Sequence, residues 1–159
     1  MDSELIGKIL EPWHINHRVN EMLLDAITPE GLACSLSKRG GRDVGRQFAH
    51  LHDVRLMWME VSAKPFMKGM AKIDSKGEID RALLKRRLKE STDAVAKWLS
   101  EALAGDGSIK SFKRSAHTLL AYLLAHEGHH RGSILLTLKE CGHKVPQNVQ
   151  FGIWEWGKI

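Results

Sequence analysis

The sequence has few of the features that direct a chain to membranes, to secretion or to a disulfide-stabilised fold. No apolar run approaches the ~18 residues that a membrane-spanning helix needs. The N-terminal residues MDSELIGKIL lack the basic start and apolar stretch of a secretory signal. Cys34 and Cys141 are the only cysteines and form no CxxC pair, so we expect free thiols. We therefore expect a cytoplasmic protein without membrane contact.

Strand-like alternation of useful length and internal repeats are also missing, as are zinc-finger, RNP and helix-turn-helix motifs. The formal net charge is +5, but the basic residues are mixed with acidic ones, as between Lys85 and Asp93. We therefore do not expect nucleic acid as a partner. The 159 residues, 43% hydrophobic and 27% charged, have the size and balance of one globular domain. We assign residues 1–159 to a single domain.

The hydrophobic pattern predicts an all-α protein with four long helices. Pro12 either kinks the first helix or moves its start to Trp13. Residues 28–42 are expected to form a loop, and the C-terminal segment VPQNVQFGIWEWGKI to pack on the helices as a short aromatic extension. The four predicted helices cover residues 3–27, 43–63, 78–103 and 115–141.

Four helices of this length predict a four-helix bundle. The connection between the second and third helices is long, at about 14 residues, and can extend to ~46 Å. That is enough to cross a helix of ~30 Å, so the second and third helices can run parallel.

Histidine is abundant, with nine residues, and three of these, His126, His129 and His130, lie in the sequence AHEGHHRGS of the fourth helix. His126 and His130 are four residues apart, so both imidazoles can reach one metal ion. Leu123 and Ile134 continue the same stripe, which places the pair on a predicted core-facing surface. Burying two histidines there is unfavourable unless their nitrogens are satisfied, which a metal ion achieves.

A third ligand must come from another helix, and the second helix offers His50 and His52. His50 aligns with Val54, Met57 and Val61, an apolar row that predicts an inward position. His52 falls in a more mixed row, so we choose His50, with His52 or His129 left as possible replacements. His14 and His17 are weaker alternatives, and His117 and His143 are expected at the surface or at helix ends.

The residues FAHLHDVRLMW, with His50 eight positions before Trp58, and HEGHHRGSI, followed by ECGHKVP, resemble the DinB-like (DinB/YfiT) superfamily of metal-dependent proteins. The resemblance covers nearly the whole chain. It implies an up-down-down-up bundle, frequent homodimers, and one metal ion held by His50, His126 and His130. The family pattern often reads HHRGQI, whereas Ser133 replaces the glutamine here. Some relatives are transferases or isomerases that use a low-molecular-weight thiol.

The string HEGHH also fits HExxH, the zinc-protease motif, with Glu127 as general base. The extended motif fails because Leu136 stands where a third histidine is required, and no strand is predicted to bind a peptide. Glu127 is therefore expected to support the ligands or to lie on the helix surface. Di-iron carboxylate bundles are a poor match because Glu127 and Asp53 are the only acids near the histidines.

Three histidines leave one or more coordination positions open, which is typical of a catalytic site. We expect one divalent metal ion. Imidazole ligands are compatible with zinc, nickel, iron and copper. The ion would activate a thiolate or water for transfer to a small electrophile. Arg131 and His129 flank the ligands and are candidates to hold an anionic group, with a surface or salt-bridge role as the alternative for Arg131. The alternative is a metal-binding, stress-associated protein without catalysis.

Overall fold

The structure is a computed structural model that describes residues 1–37 and 39–159. Four long helices account for most of these residues, with two short helices and a 3-10 turn (Lys64–Met67) between or after them. A two-residue strand pair, β1 (Ser108–Ile109) with β2 (Arg114–Ser115), is antiparallel. The helices are α1 (Ser3–Asp25), α2 (Pro29–Leu32), α3 (Val44–Ser62), α4 (Arg81–Ala104), α5 (Ala116–Glu140) and α6 (Gln147–Gly152).

Local capping chemistry fixes where the long helices begin and end. The side chains of Asp43 and Ser115 accept hydrogen bonds from the first turns of α3 and α5, which confirms both predicted starts. Gly142 follows the C-cap residue Cys141 and adopts φ +81°, and the amide of His143 donates to the Leu138 carbonyl, which ends α5. In contrast, α1 continues through Pro12 instead of starting at Trp13. The predicted loop 28–42 contains α2, and its residue Lys38 lies outside the described residues.

The long helices meet in two apolar clusters, one toward each end of the bundle. The first cluster includes Trp13, Met59, Leu99 and Leu119. The second cluster includes Leu24, Phe48, Leu88 and Ile134. Along the chain, α1 and α5 pass from the first cluster to the second, whereas α3 and α4 pass from the second to the first. The bundle is therefore up-down-down-up, as predicted, and residues 63–80 carry the chain back between the parallel helices α3 and α4.

A polar layer separates these two clusters. Every long helix contributes buried polar side chains to it at the level between its two apolar segments. The layer contains Asn16, His17, Asn20, His52, Arg55, Ser91, Thr92 and Glu127. The members other than His17 are hydrogen-bonded inside the bundle, so this layer sets the relative positions of the helices around it.

The C-terminal segment packs on the bundle through aliphatic side chains. Val145 and Ile153 are buried, whereas Phe151, Trp154 and Trp156 remain 64%, 77% and 37% exposed. The prediction that the segment packs on the helices is confirmed, but the aromatic residues that suggested it are not the ones that are buried. Within residues 1–37 and 39–159, each helix is too short or too polar to cross a membrane.

Candidate metal centre

His50, His126 and His130 meet at one side of the bundle, between α3 and α5. Their ring centroids are 5.4 Å (His50–His126), 4.9 Å (His50–His130) and 4.6 Å (His126–His130) apart. One nitrogen of each ring lies within 4.8 Å of the corresponding nitrogens of the other two. All three side chains are half-buried, so the cluster is open to small molecules. The structure thus brings together the three histidines chosen from the sequence.

The protonation state of the three imidazole rings suits them as metal ligands. Burial lowers the pKa of His50, and the charges of Arg42 and His126 lower it further. Burial also lowers the pKa of His126 and, with the two neighbouring histidines, lowers that of His130 to about 4. The rings are therefore neutral at pH 7, and a neutral imidazole has the free lone pair that a metal requires.

One ring nitrogen of His126 also lacks a hydrogen-bond partner. Nδ1 of His126 is buried and has no hydrogen-bond partner among the residues that the structure describes. An unpaired buried nitrogen is unfavourable, and no hydrogen bond to this nitrogen competes with metal binding by the His126 ring. The residues present therefore fit a divalent metal ion that prefers nitrogen ligands, such as zinc, nickel or iron.

The apolar row that selected His50 is not an inward-facing row. Met57 and Val61, which lie on it, are 42% and 73% exposed, whereas His52 is fully buried. His52 does not join the cluster, because its Nδ1 lies 2.9 Å from the Arg87 carbonyl and its Nε2 3.1 Å from the Ala71 carbonyl. His50 is close to His126 and His130 because it lies at the margin of the helix interface and not in its centre.

The remaining histidines lie outside the cluster. His129 is exposed, with its ring 5.3 Å from that of His130. His17 is buried beside Glu21 on α1, with 3.6 Å between its Nε2 and a Glu21 oxygen. The exposed histidines away from the cluster are His14, His117 and His143.

Glu127 occupies the position on α5 that faces the core, between the two histidine ligands in sequence. Its carboxylate accepts hydrogen bonds from Arg55 Nε (2.7 Å) and Nη2 (3.0 Å), and from Asn16 (2.6 Å) and Asn20 (2.8 Å). Burial alone would raise the pKa of Glu127, but Arg55 and these hydrogen bonds outweigh it and hold the pKa below its ordinary value. The expectation of a helix-surface position was wrong, and both oxygens are committed to a buried ion pair. Glu127 is therefore not available as the general base of an HExxH protease.

Arg131 also turns inward and not toward the histidine cluster. Its Nη1 donates to Asn16 Oδ1 at 2.6 Å and to Asn20 Oδ1 at 3.0 Å. Of the two alternatives for Arg131, the one that places it on an anionic group at the metal site is therefore wrong. After burial, the charge of Arg42 also lowers the pKa of all three clustered histidines.

An aromatic wall, formed by Trp58, Phe112 and Tyr122, adjoins the cluster. The Tyr122 ring stacks on His126, with centroids 5.9 Å apart and planes 20° apart. Trp58 lies 5.7 Å from Tyr122 and 5.0 Å from Phe112. All three rings are partly buried against the first apolar cluster. The wall thus gives the histidine cluster one apolar side.

The buried network was missed in the sequence, although its residues carry a recognisable pattern. Asn16 and Asn20 are four residues apart on the apolar face of α1, and Arg55 lies on the buried side of α3. Polar residues at such positions indicate partners on a facing helix. They do not indicate which helix supplies those partners.

The comparison with protein-family models agrees with the geometry. The model of the DinB family matches residues 1–154. A comparison with curated proteins and one with solved structures each gave no significant match. With nearly the whole sequence matched, a helical bundle of the expected topology and three histidines in a group that could hold a metal ion, the chain belongs to the DinB family.

Proposed function

We propose that this protein binds one divalent metal ion through His50, His126 and His130 and uses it to transfer a small thiol to, or isomerise, a small electrophile. The observation that carries the proposal is the convergence of three neutral imidazole nitrogens within 4.8 Å of one another on a half-buried surface. Three neutral protein ligands do not offset the positive charge of the ion. They also leave at least one coordination position for a further ligand.

When bound, a divalent ion at this position would act as a Lewis acid that favours the deprotonated form of a thiol or water. The two helices that carry the ligands would hold the ion. His126 and His130 lie one turn apart on α5, and His50 projects from α3 toward them. The ion pair between Arg55 and Glu127 joins the same two helices inside the bundle, so the ligands rest on a fixed interface.

The chain itself does not supply a thiol at the cluster. Cys141 caps α5 eleven residues after His130, which is about 16 Å along a helix. Cys34 lies beside Cys141, and burial together with this neighbour raises the pKa of the Cys34 thiol. A thiol nucleophile would therefore come from a small molecule in solution, as the family resemblance also implies.

Two features around the cluster suit a small substrate with an apolar and an anionic part. The aromatic wall excludes water from the side of His126 and offers rings for an apolar group. On the other hand, Arg42 contributes a positive charge that reaches all three histidines and would attract a carboxylate. These two features would orient a substrate, and neither of them requires Glu127 to transfer a proton.

The proposal is tested by reconstituting the protein separately with zinc, nickel and iron(II) and supplying a panel of low-molecular-weight thiols. A chloronitrobenzene serves as a generic electrophile, since its aromatic carbon forms a thioether as chloride leaves and the thiol proton passes to solvent. Turnover should require both metal and thiol and should be lost in His126→Ala. His117→Ala, an exposed histidine in the first turn of α5, is the matched control and should keep full activity.

The same experiment separates the two functions considered from the sequence. Metal binding without turnover with any thiol would favour a non-catalytic metal-binding protein. Turnover that survives His126→Ala would contradict the proposed site.

A further inference from the structure

A second cavity lies on α5, on the side that faces the C-terminal segment. It has a volume of about 200 Å³ and is lined by Gly128, Arg131, Gly132, Leu135, Trp154 and Trp156, with Ile153 beneath. The cavity is separate from the histidine cluster, since none of the three histidines lines it. Its size suits a small molecule, since pockets for drug-sized ligands are larger.

The cavity has a cationic group whose hydrogen-bonding capacity is only partly used. Nη1 of Arg131 donates to Asn16 and Asn20, whereas Nε and Nη2 have no acceptor in the part of the chain that the structure describes. Nη2 lies on the cavity side, 3.9 Å from the position that a Cβ on Gly128 would take. A guanidinium presents its donors in a planar fork that matches a carboxylate.

The charges of the buried network do not balance. Arg55 and Arg131 are two cations, and Glu127 is the one carboxylate that acts on Arg131 among the described residues. Both Glu127 oxygens are already bonded to Arg55 and the two asparagines. Arg131 is only partly exposed, so its charge is incompletely solvated, and an anion beside it would compensate that charge.

The two glycines of the cavity are not required by the packing of the chain. A Cβ on Gly132 would meet nothing within 4 Å, and one on Gly128 would meet only Arg131 Nη2. Glycine inside a helix is unfavourable relative to alanine. Here its effect is to leave open space between α5 and the tryptophans. Trp156 is held in place because its indole N–H donates to the Ile153 carbonyl at 3.2 Å.

We propose that this cavity binds a small carboxylate with an apolar or aromatic body, its carboxylate on Arg131 and its body between Trp154 and Trp156. The charge imbalance selects an anion, and the two indoles with Leu135 select an apolar body. The site is independent of metal binding at the histidine cluster.

The test uses the ¹⁵N-labelled full chain, benzoate as the probe and benzamide as its neutral counterpart. Indole N–H signals are assigned with Trp154→Phe and Trp156→Phe. Benzoate should shift the Trp154 and Trp156 signals and leave that of the fully buried Trp13 unchanged, and benzamide should bind at least about tenfold more weakly, since it lacks the charge. His126→Ala should not change the benzoate affinity, which separates this site from the metal site.

Two variants locate the ligand within the cavity. Gly132→Leu places a side chain in the open space without removing a charge and should abolish the benzoate shifts. Gly7→Leu, at a helical glycine of α1 that also has nothing within 4 Å, should leave them unchanged. Arg131→Gln should weaken binding by about tenfold or more. If Arg131→Gln does not fold, Gly132→Leu still tests whether benzoate occupies the cavity.

Three outcomes would overturn the proposal. Equal shifts with benzamide would show that the charge has no role, and unchanged binding in Gly132→Leu would place the ligand elsewhere. Shifts of the Trp154 signal that follow protein concentration without benzoate would show that a second copy of the chain covers the cavity instead.

Discussion

Arg55 on α3 and Glu127 on α5 form a two-point ion pair in the centre of the bundle, with both side chains at most 1% exposed. Arg55 also donates to the Leu88 carbonyl and to Ser91 and Thr92 on α4, and its guanidinium lies 4.7 Å from the Trp13 ring. This one arginine therefore contacts all four long helices, directly or through Glu127. The histidines of the candidate metal centre are carried by the two helices that the pair joins.

Removing the charge of Glu127 should destabilise the fold strongly. Glu127→Gln leaves Arg55 buried without a carboxylate, and breaking a buried pair in this way typically costs about 3–5 kcal/mol. The measurement is the free energy of unfolding from a urea titration. Glu4→Gln, which removes an exposed pair with Lys8, is the control and should have no measurable effect. A loss below about 1 kcal/mol in Glu127→Gln would contradict the structural role assigned to the pair.

His52→Ala should reduce stability without removing metal. The buried ring of His52 lies between the carbonyls of Arg87 and Ala71, so its loss leaves at least one of them unpaired, at about 1–3 kcal/mol. The free energy of unfolding and the metal content are measured on the same preparation. Loss of metal in a folded His52→Ala variant would mean that His52, and not His50, is the third ligand.

His17 should make the fold sensitive to acid. Burial, with a smaller effect of Arg55 and Lys89, lowers its pKa from 6.5 to about 4, against the opposing charges of Asp93 and Glu127. Between these two pH values the unfolded chain binds a proton that the folded chain excludes. The contribution of His17 to the free energy of unfolding is therefore complete above pH 6.5. It decreases as the pH falls toward 4, by at most about 3 kcal/mol.

The comparison of His17→Leu with wild type isolates this effect. The variant should lose less stability than wild type between pH 7 and pH 4, as measured by urea unfolding at each pH. His14→Leu, an exposed histidine on the same helix, should keep the wild-type pH dependence. Parallel pH profiles for wild type and His17→Leu would show that His17 does not titrate as described.

The C-terminal segment should depend on Ile153 and not on its aromatic residues. Ile153 is 5% exposed, so Ile153→Ala should cost about 2–4 kcal/mol through the cavity it leaves. Trp154 is 77% exposed, so Trp154→Ala should change stability by no more than about 0.5 kcal/mol. Thermal unfolding of the two variants is the measurement, and the reverse order of effects would show that the segment packs through its tryptophan.

The fold could be predicted from the sequence because its determinants are local. Asp43 and Ser115 cap the helices that they precede, and Gly142 ends α5, so three boundaries followed from short-range chemistry. The length of their connection allowed α3 and α4 to run parallel, and the family resemblance implied that they do. Pro12 left two alternatives for the first helix, and the structure excludes the start at Trp13 because α1 continues through Pro12.

The site was only partly predictable because its partners are distant in the chain. The four-residue spacing of His126 and His130 is local and was recognised. The choice between His50 and His52 depended on which one faces α5, and helical periodicity ranked their burial in the wrong order. The carbonyls that satisfy His52 are 19 and 35 residues away. Similarly, Glu127 is 72 residues from Arg55, and no local pattern joins them.

The metal content of purified protein tests the central claim most directly. Wild type is supplied with zinc, nickel and iron(II), dialysed and measured by elemental analysis beside His50→Ala, His126→Ala, His130→Ala and the exposed neighbour His129→Ala. We predict one metal ion per chain in wild type and in His129→Ala, and loss of the ion in each of the other three folded variants. Wild type without metal under all three conditions, or a metal ion retained in any of those three variants, would contradict the assignment of the histidine cluster.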